Sequence, residues 1–107
     1  MQRGEVFRFK ISKGLGHEHH GVRYAVVVQA DEFLPRSIVI VAQTSRRARK
    51  ASFRPPVQVE GETTLVLVEQ LNAVDVQRLG KRAGRLSVEE MRSVDEALAT
   101  YLGLSHL

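Results

Sequence analysis

The sequence predicts a small, mostly antiparallel β-barrel followed by a C-terminal helix. Three observations carry this. Tyr24-Ala25-Val26-Val27-Val28 and Ile38-Val39-Ile40-Val41-Ala42 are apolar runs rich in β-branched side chains, which pack well on a pleated surface. Ser87-Val88-Glu89-Glu90 forms a capping box ahead of an apolar stripe. Between them, turn signals recur at the close spacing of an antiparallel all-β domain.

Residues 6–11 alternate strongly enough to predict a first strand. Residues 12–21 carry three glycines and no periodicity, which predicts a loop longer than a hairpin needs. Strands are expected over residues 24–29 and 37–43, separated by a turn or short helical piece that Pro35 breaks. A short strand over 57–59, a turn at Glu60-Gly61-Glu62 and a strand over 63–68 follow. Residues 74–76 read as a short extended piece, and 78–85 as a basic, glycine-broken connection. The helix after Ser87 presents Val88, Met91, Val94, Leu98, Tyr101 and Leu102 on one stripe, and Gly103 stands where a left-handed stop belongs.

The 107 residues, 43% of them hydrophobic, suit one domain over residues 1–107. The formal charge of +4 is unevenly spread. Residues 1–59 hold eleven Lys/Arg against four Asp/Glu, while residues 60–107 hold five against eight. The first part is therefore the expected face for a polyanion. Without cysteine there is no disulfide framework, thiolate nucleophile or cysteine-based zinc site. The opening residues lack the apolar core of a signal peptide, and the longest apolar runs span five residues, against the ~20 of a membrane-crossing helix. A soluble, cytoplasmic protein is expected.

Arg23 stands at the mouth of the 24–29 strand. If the two apolar runs pair, Arg23 and Thr44 meet at one sheet edge; otherwise Arg23 is a solvated strand terminus. Residues 45–56 hold five positive charges, no negative one, and Phe53. This reads as a phosphate-gripping flap with an aromatic side chain for base stacking, or as a solvated basic loop. His17, Glu18, His19 and His20 lack the spaced partners of a metal site, and a histidine acting as general acid or base fits them better. No nucleophile elbow, phosphate-binding Walker loop or dinucleotide fingerprint is present. A basic groove with Arg, Thr, Glu and His fits RNA cleavage by the RNA's own 2′-hydroxyl, because a guanidinium fork matches phosphate geometry.

Several segments together resemble the MazF/PemK/Kid family of toxin endoribonucleases. They are Arg3-Gly4-Glu5-Val6-Phe7, Gly16-His17-Glu18-His19-His20-Gly21-Val22-Arg23, Ile40-Val41-Ala42-Gln43-Thr44-Ser45, Pro56-Val57-Gln58-Val59-Glu60, and Val66 to Asp75 followed by Arg78-Leu79-Gly80-Lys81. Gly84-Arg85-Leu86-Ser87 completes the series, so the resemblance runs through essentially the whole chain in order. It implies an SH3-like barrel, usually a homodimer, that cuts single-stranded RNA without metal or cofactor and leaves 2′,3′-cyclic phosphate and 5′-hydroxyl ends. It also implies a cognate antitoxin with an acidic, partly disordered segment. By position, Arg23 and Thr44 match the catalytic pair. His17, Glu18, His19, Ser45, Arg46, Arg47 and Gln70 fall where the RNA is held. Tyr24 stands in place of the family's proline, and His17 and His19 in place of serine and glutamine, so the recognition sequence is not carried over. Two other readings compete: a CcdB-like barrel that poisons a protein target such as gyrase, and a non-catalytic nucleic-acid-binding barrel.

Overall fold

The computed structural model describes residues 1–9 and 23–104. Six strands form one antiparallel sheet: β1 (Glu5–Phe9), β2 (Tyr24–Val27), β3 (Ile38–Ser45), β4 (Pro56–Val59), β5 (Glu62–Asp75) and β6 (Leu79–Arg85). Their spatial order is β4-β5-β3-β2-β1-β6. The sheet curls into a nearly closed barrel, and the helix α1 (Val88–Tyr101) packs against it.

β2 explains why its sequence is apolar without interruption. Strand side chains alternate in direction, and here both directions are buried. Tyr24 and Val26 enter one core with Val6, Ala42, Val57, Val59, Val66, Val68, Leu86 and Val94. Ala25 and Val27 enter a second core with Val39, Val41, Val74 and Leu79. A strand buried on both faces loses the polar half of the usual alternation.

Three expectations need correction. Within the connection expected over 78–85, residues 79–85 form a strand, β6. Its glycines fit an edge strand that pairs β1 with two register shifts, and its arginines lie along solvent. The strand expected over 63–68 runs on through the polar residues Gln70, Asn72 and Asp75, giving β5 fourteen residues. Its second half pairs the first half of β3, from Ile38↔Asp75 to Ala42↔Leu71. Of residues 74–76, expected as a short extended piece, Val74 and Asp75 end β5, while Val76 opens a 3-10 turn over 76–78.

α1 begins as expected. Ser87 Oγ accepts the Glu90 N–H at 3.1 Å, and Glu90 Oε1 accepts the Ser87 N–H at 2.8 Å. Gly103, at φ +76°, follows its end. The buried stripe is narrower than the sequence suggests: Val94 and Ala97 are buried, Met91 and Leu98 pack partly, and Val88, Tyr101 and Leu102 stay exposed. The helix buries its middle against the barrel, and its two ends are more exposed.

Candidate active site and basic loop

The site forms where β2 and β3 part. Their ladder pairs Val27↔Val41, Val26↔Ala42 and Ala25↔Gln43, then stops. One step further, a side chain replaces the backbone partner: Thr44 Oγ accepts the Tyr24 N–H at 3.2 Å. Thr44 is fully buried, and this bond fixes the peptide that joins Arg23 to Tyr24. The Arg23 carbonyl accepts the Phe9 N–H at 3.0 Å from the other side. Arg23 is thus held by its backbone while its guanidinium stays half-exposed.

From Arg23 a chain of polar side chains crosses the sheet. Arg23 donates to Gln43 Oε1 at 3.3 Å, and Gln43 Nε2 donates to Gln70 Oε1 at 2.8 Å. Gln70 reaches Gln43 because β5 carries extra chain here. The register jumps from Ala42↔Leu71 to Thr44↔Val66, which sets residues 67–70 opposite the single residue Gln43. Arg23, Thr44 and Gln70, predicted from distant segments, are therefore neighbours.

Behind the site lies a second cluster. The Tyr24 hydroxyl donates to Glu60 Oε1 at 2.6 Å, and Arg8 donates to the same oxygen at 2.9 Å. Glu60 occupies the β4–β5 turn at φ +51°, beside Gly61 at φ +79°. The Tyr24 hydrogen bond, with help from Arg8, holds the Glu60 carboxyl below its ordinary range. Burial, then the Glu60 carboxylate, pushes the Tyr24 phenol upward. Glu60 was legible as a turn residue and as the end of a family-like segment, but nothing in a sequence links it to a tyrosine 36 positions earlier.

The basic loop begins at Ser45, whose Oγ accepts the N–H groups of Arg47 and Ala48 at 3.2 and 3.1 Å. Ser45 is almost fully buried and shapes the loop from below. The loop ends at Arg54, which grips Glu69 Oε2 at 2.7 Å and the Arg49 carbonyl at 2.9 Å. Arg46 pairs with Glu62. Arg47, Arg49 and Lys50 remain exposed, with no acidic partner among the described residues. Phe53 corrects the stacking expectation: it packs against Tyr101 at 5.2 Å between ring centroids and joins the core beneath α1. An aromatic ring committed to core packing is not a free platform for bases.

His17, Glu18, His19 and His20 lie outside the described residues. Among the described residues no group of three or more His, Asp or Glu side chains forms a metal-binding cluster, and no helix is long and apolar enough to cross a membrane.

The barrel thus parts between β2 and β3, with an arginine at the opening and a basic loop beside it. Residues 2–102 match the family of PemK-like, MazF-like toxins of type II toxin–antitoxin systems, and the chain belongs to that family. It is 38% identical over 104 residues to a candidate toxin of Mycobacterium tuberculosis strain H37Rv, an alignment covering 95% of this chain and 97% of that one. Its fold is similar to that of a mycobacterial endoribonuclease solved with its cognate antitoxin, with TM-score 0.80, 20% identity, and 97% and 96% of the two chains covered. It is also similar to MazF from Deinococcus radiodurans, with TM-score 0.77, 19% identity and 96% of each chain covered. The expected architecture, a mostly β barrel with a C-terminal helix, agrees with these structures.

Proposed function

We propose that this toxin is a metal-independent endoribonuclease that cuts single-stranded RNA by attack of the 2′-hydroxyl adjoining the scissile phosphate. The products are a 2′,3′-cyclic phosphate and a 5′-hydroxyl. The observation that carries the reading is the backbone-anchored Arg23 beside Thr44 at the strand opening. A guanidinium held there opposes the charge that builds on a pentacoordinate phosphorus, and needs no reorganisation as that charge develops. Thr44 already accepts the Tyr24 N–H, so its remaining O–H is the group that donates to a phosphate oxygen. Gln70 and the exposed Arg47, Arg49 and Lys50 continue a polar and basic track away from the site.

Two partners belong to this reading. An acidic, partly disordered antitoxin segment fits the same basic loop and would fold as it binds. A second copy of the chain fits the exposed Phe33, Ile38 and Ile40, large apolar side chains left uncovered in one subunit.

The test is incubation of purified protein with RNA in EDTA, followed by mapping of product ends. Discrete cuts bearing 5′-hydroxyls, lost in Arg23→Ala and Thr44→Ala variants that keep the native circular dichroism, support the proposal. Undiminished cutting in both variants sinks the assignment of the pair. No cutting by folded wild-type protein leaves the gyrase-poisoning or binding reading in its place. His17→Ala and His19→Ala in the same assay report whether either histidine moves a proton.

A further inference from the structure

The polar chain from Arg23 to Gln70 has a direction. An arginine side chain has donors only, so Gln43 must turn its carbonyl oxygen, Oε1, toward Arg23. That leaves its amide nitrogen, Nε2, facing Gln70, and a donor there requires Gln70 to answer with its own oxygen. Gln70 is exposed, so its remaining group, the NH2, is what it offers to solvent or to a ligand. No partner for that NH2 is found among the described residues. A free glutamine turns its amide either way and discriminates nothing. This one is set by a cation two side chains away.

We propose that Gln43 is a specificity-determining residue that locks Gln70 as a hydrogen-bond donor to the base beside the scissile phosphate. The site then favours a base that offers a carbonyl oxygen, uracil or guanine, over the counterpart that offers an amino group, cytosine or adenine. The inference rests on the proposed nuclease reading and adds the chemical class of base to it. Uracil and cytosine differ at ring position 4 by this exchange of acceptor for donor, as guanine and adenine do at position 6. Facing the amino member, the Gln70 donor meets another donor, and both lose the water that satisfied them.

Two substitutions reverse the polarity without changing side-chain size. In Gln43→Glu the carboxylate still accepts from Arg23 but has no donor for Gln70, whose amide must turn and show its oxygen to the base. In Gln70→Glu one carboxylate oxygen accepts from Gln43 and the other faces the base. Gln70→Leu removes the group.

The experiment has two arms. Cleavage sites are mapped by sequencing in a random RNA pool, and affinity is measured for uncleavable oligonucleotides that carry a 2′-deoxy sugar at the cut and differ only as uracil or cytosine. Wild type should prefer the carbonyl base by about tenfold at one position flanking the cut. Gln43→Glu and Gln70→Glu should both shift preference toward the amino base by about tenfold or more at that same position. Gln70→Leu should show no preference there. Variants that cut or bind more weakly but keep the wild-type base preference overturn the proposal, since loss of structure alone lowers rates for every base alike. Absence of wild-type cleavage, with the binding preference and its reversal intact, overturns the nuclease reading and leaves the recognition device standing.

Discussion

The Tyr24 hydroxyl and Glu60 Oε1 stand 2.6 Å apart, joining the residue after Arg23 to the tip of the β4–β5 hairpin. This bond makes stability depend on pH at both ends of the scale. The carboxyls of Glu60 and Glu5 lie below their ordinary 4.5, Glu60 through Tyr24 and Glu5 through the Arg82 hydrogen bond. Their stabilisation is in place above pH 4.5 and is lost as pH falls through the lowered values. The Tyr24 phenol lies above its ordinary 10.0, so its contribution is complete below pH 10.0 and is lost as pH rises through the folded value. Tyr24→Phe should shrink both the alkaline loss and the acid one. Urea midpoints from about pH 3 to about pH 12 read this directly. Superimposable profiles for the two proteins would disprove it.

Glu90 is predicted to be worth more than a helix cap. Its Oε1 accepts the Ser87 N–H, and its Oε2 accepts the Gln58 N–H at 2.7 Å, on the free edge of β4. Glu90→Ala should cost about 2 kcal/mol in urea unfolding, since two backbone donors lose their acceptor. Glu90→Gln, with one carbonyl oxygen left, should cost about half of that.

Arg54 and Glu69 form a largely enclosed pair, with side chains 23% and 13% exposed. Glu69 Oε1 is buried and has no hydrogen-bond partner. Arg54→Ala strands the whole carboxylate and should cost about 2–3 kcal/mol by thermal unfolding. Replacing both partners, Arg54→Met with Glu69→Leu, should recover most of the loss, because the stranded charge is what destabilises. A double variant no better than Arg54→Ala would rule out that cause.

The arginines of the basic loop should contribute unequally to RNA affinity. Arg47 has no acidic partner among the described residues, whereas Arg46 sits on Glu62. Arg47→Ala should lower the slope of log affinity against log salt by about one. Arg46→Ala should lower it by less. Equal slopes for the two variants would show that the Glu62 pairing does not persist in solution.

Local signals account for what the sequence revealed. Ser87 and Glu90 lie three residues apart and announce the helix by themselves, and the run from Tyr24 to Val28 is apolar enough to read as a buried strand. β6 was hidden because Gly80, Gly84 and its lysine and arginines carry turn and loop statistics; its edge position and β1 pairing make a strand of it. The second half of β5 was hidden similarly, its polar residues outweighing an extended conformation that pairing with β3 imposes. Arg23 and Thr44 were brought to one sheet edge by the expected pairing of their strands, and the family pattern added the catalytic role. Gln43 was in plain view beside Thr44, yet its importance depends on which atoms face Arg23 and Gln70, and that is geometry. Phe53 shows the opposite error: an aromatic among arginines suggests RNA stacking until its contact with Tyr101 is known.

β5 threads both apolar cores, giving Val66 and Val68 to one and Val74 to the other, and β2 does the same with Val26 and Val27. Neither half of the molecule therefore owns a complete interior. A protease that severs the chain within either strand damages both cores at once, and no surviving piece retains enough packing to stand alone. Disposal of this toxin should accordingly be all-or-none, without a long-lived active remnant.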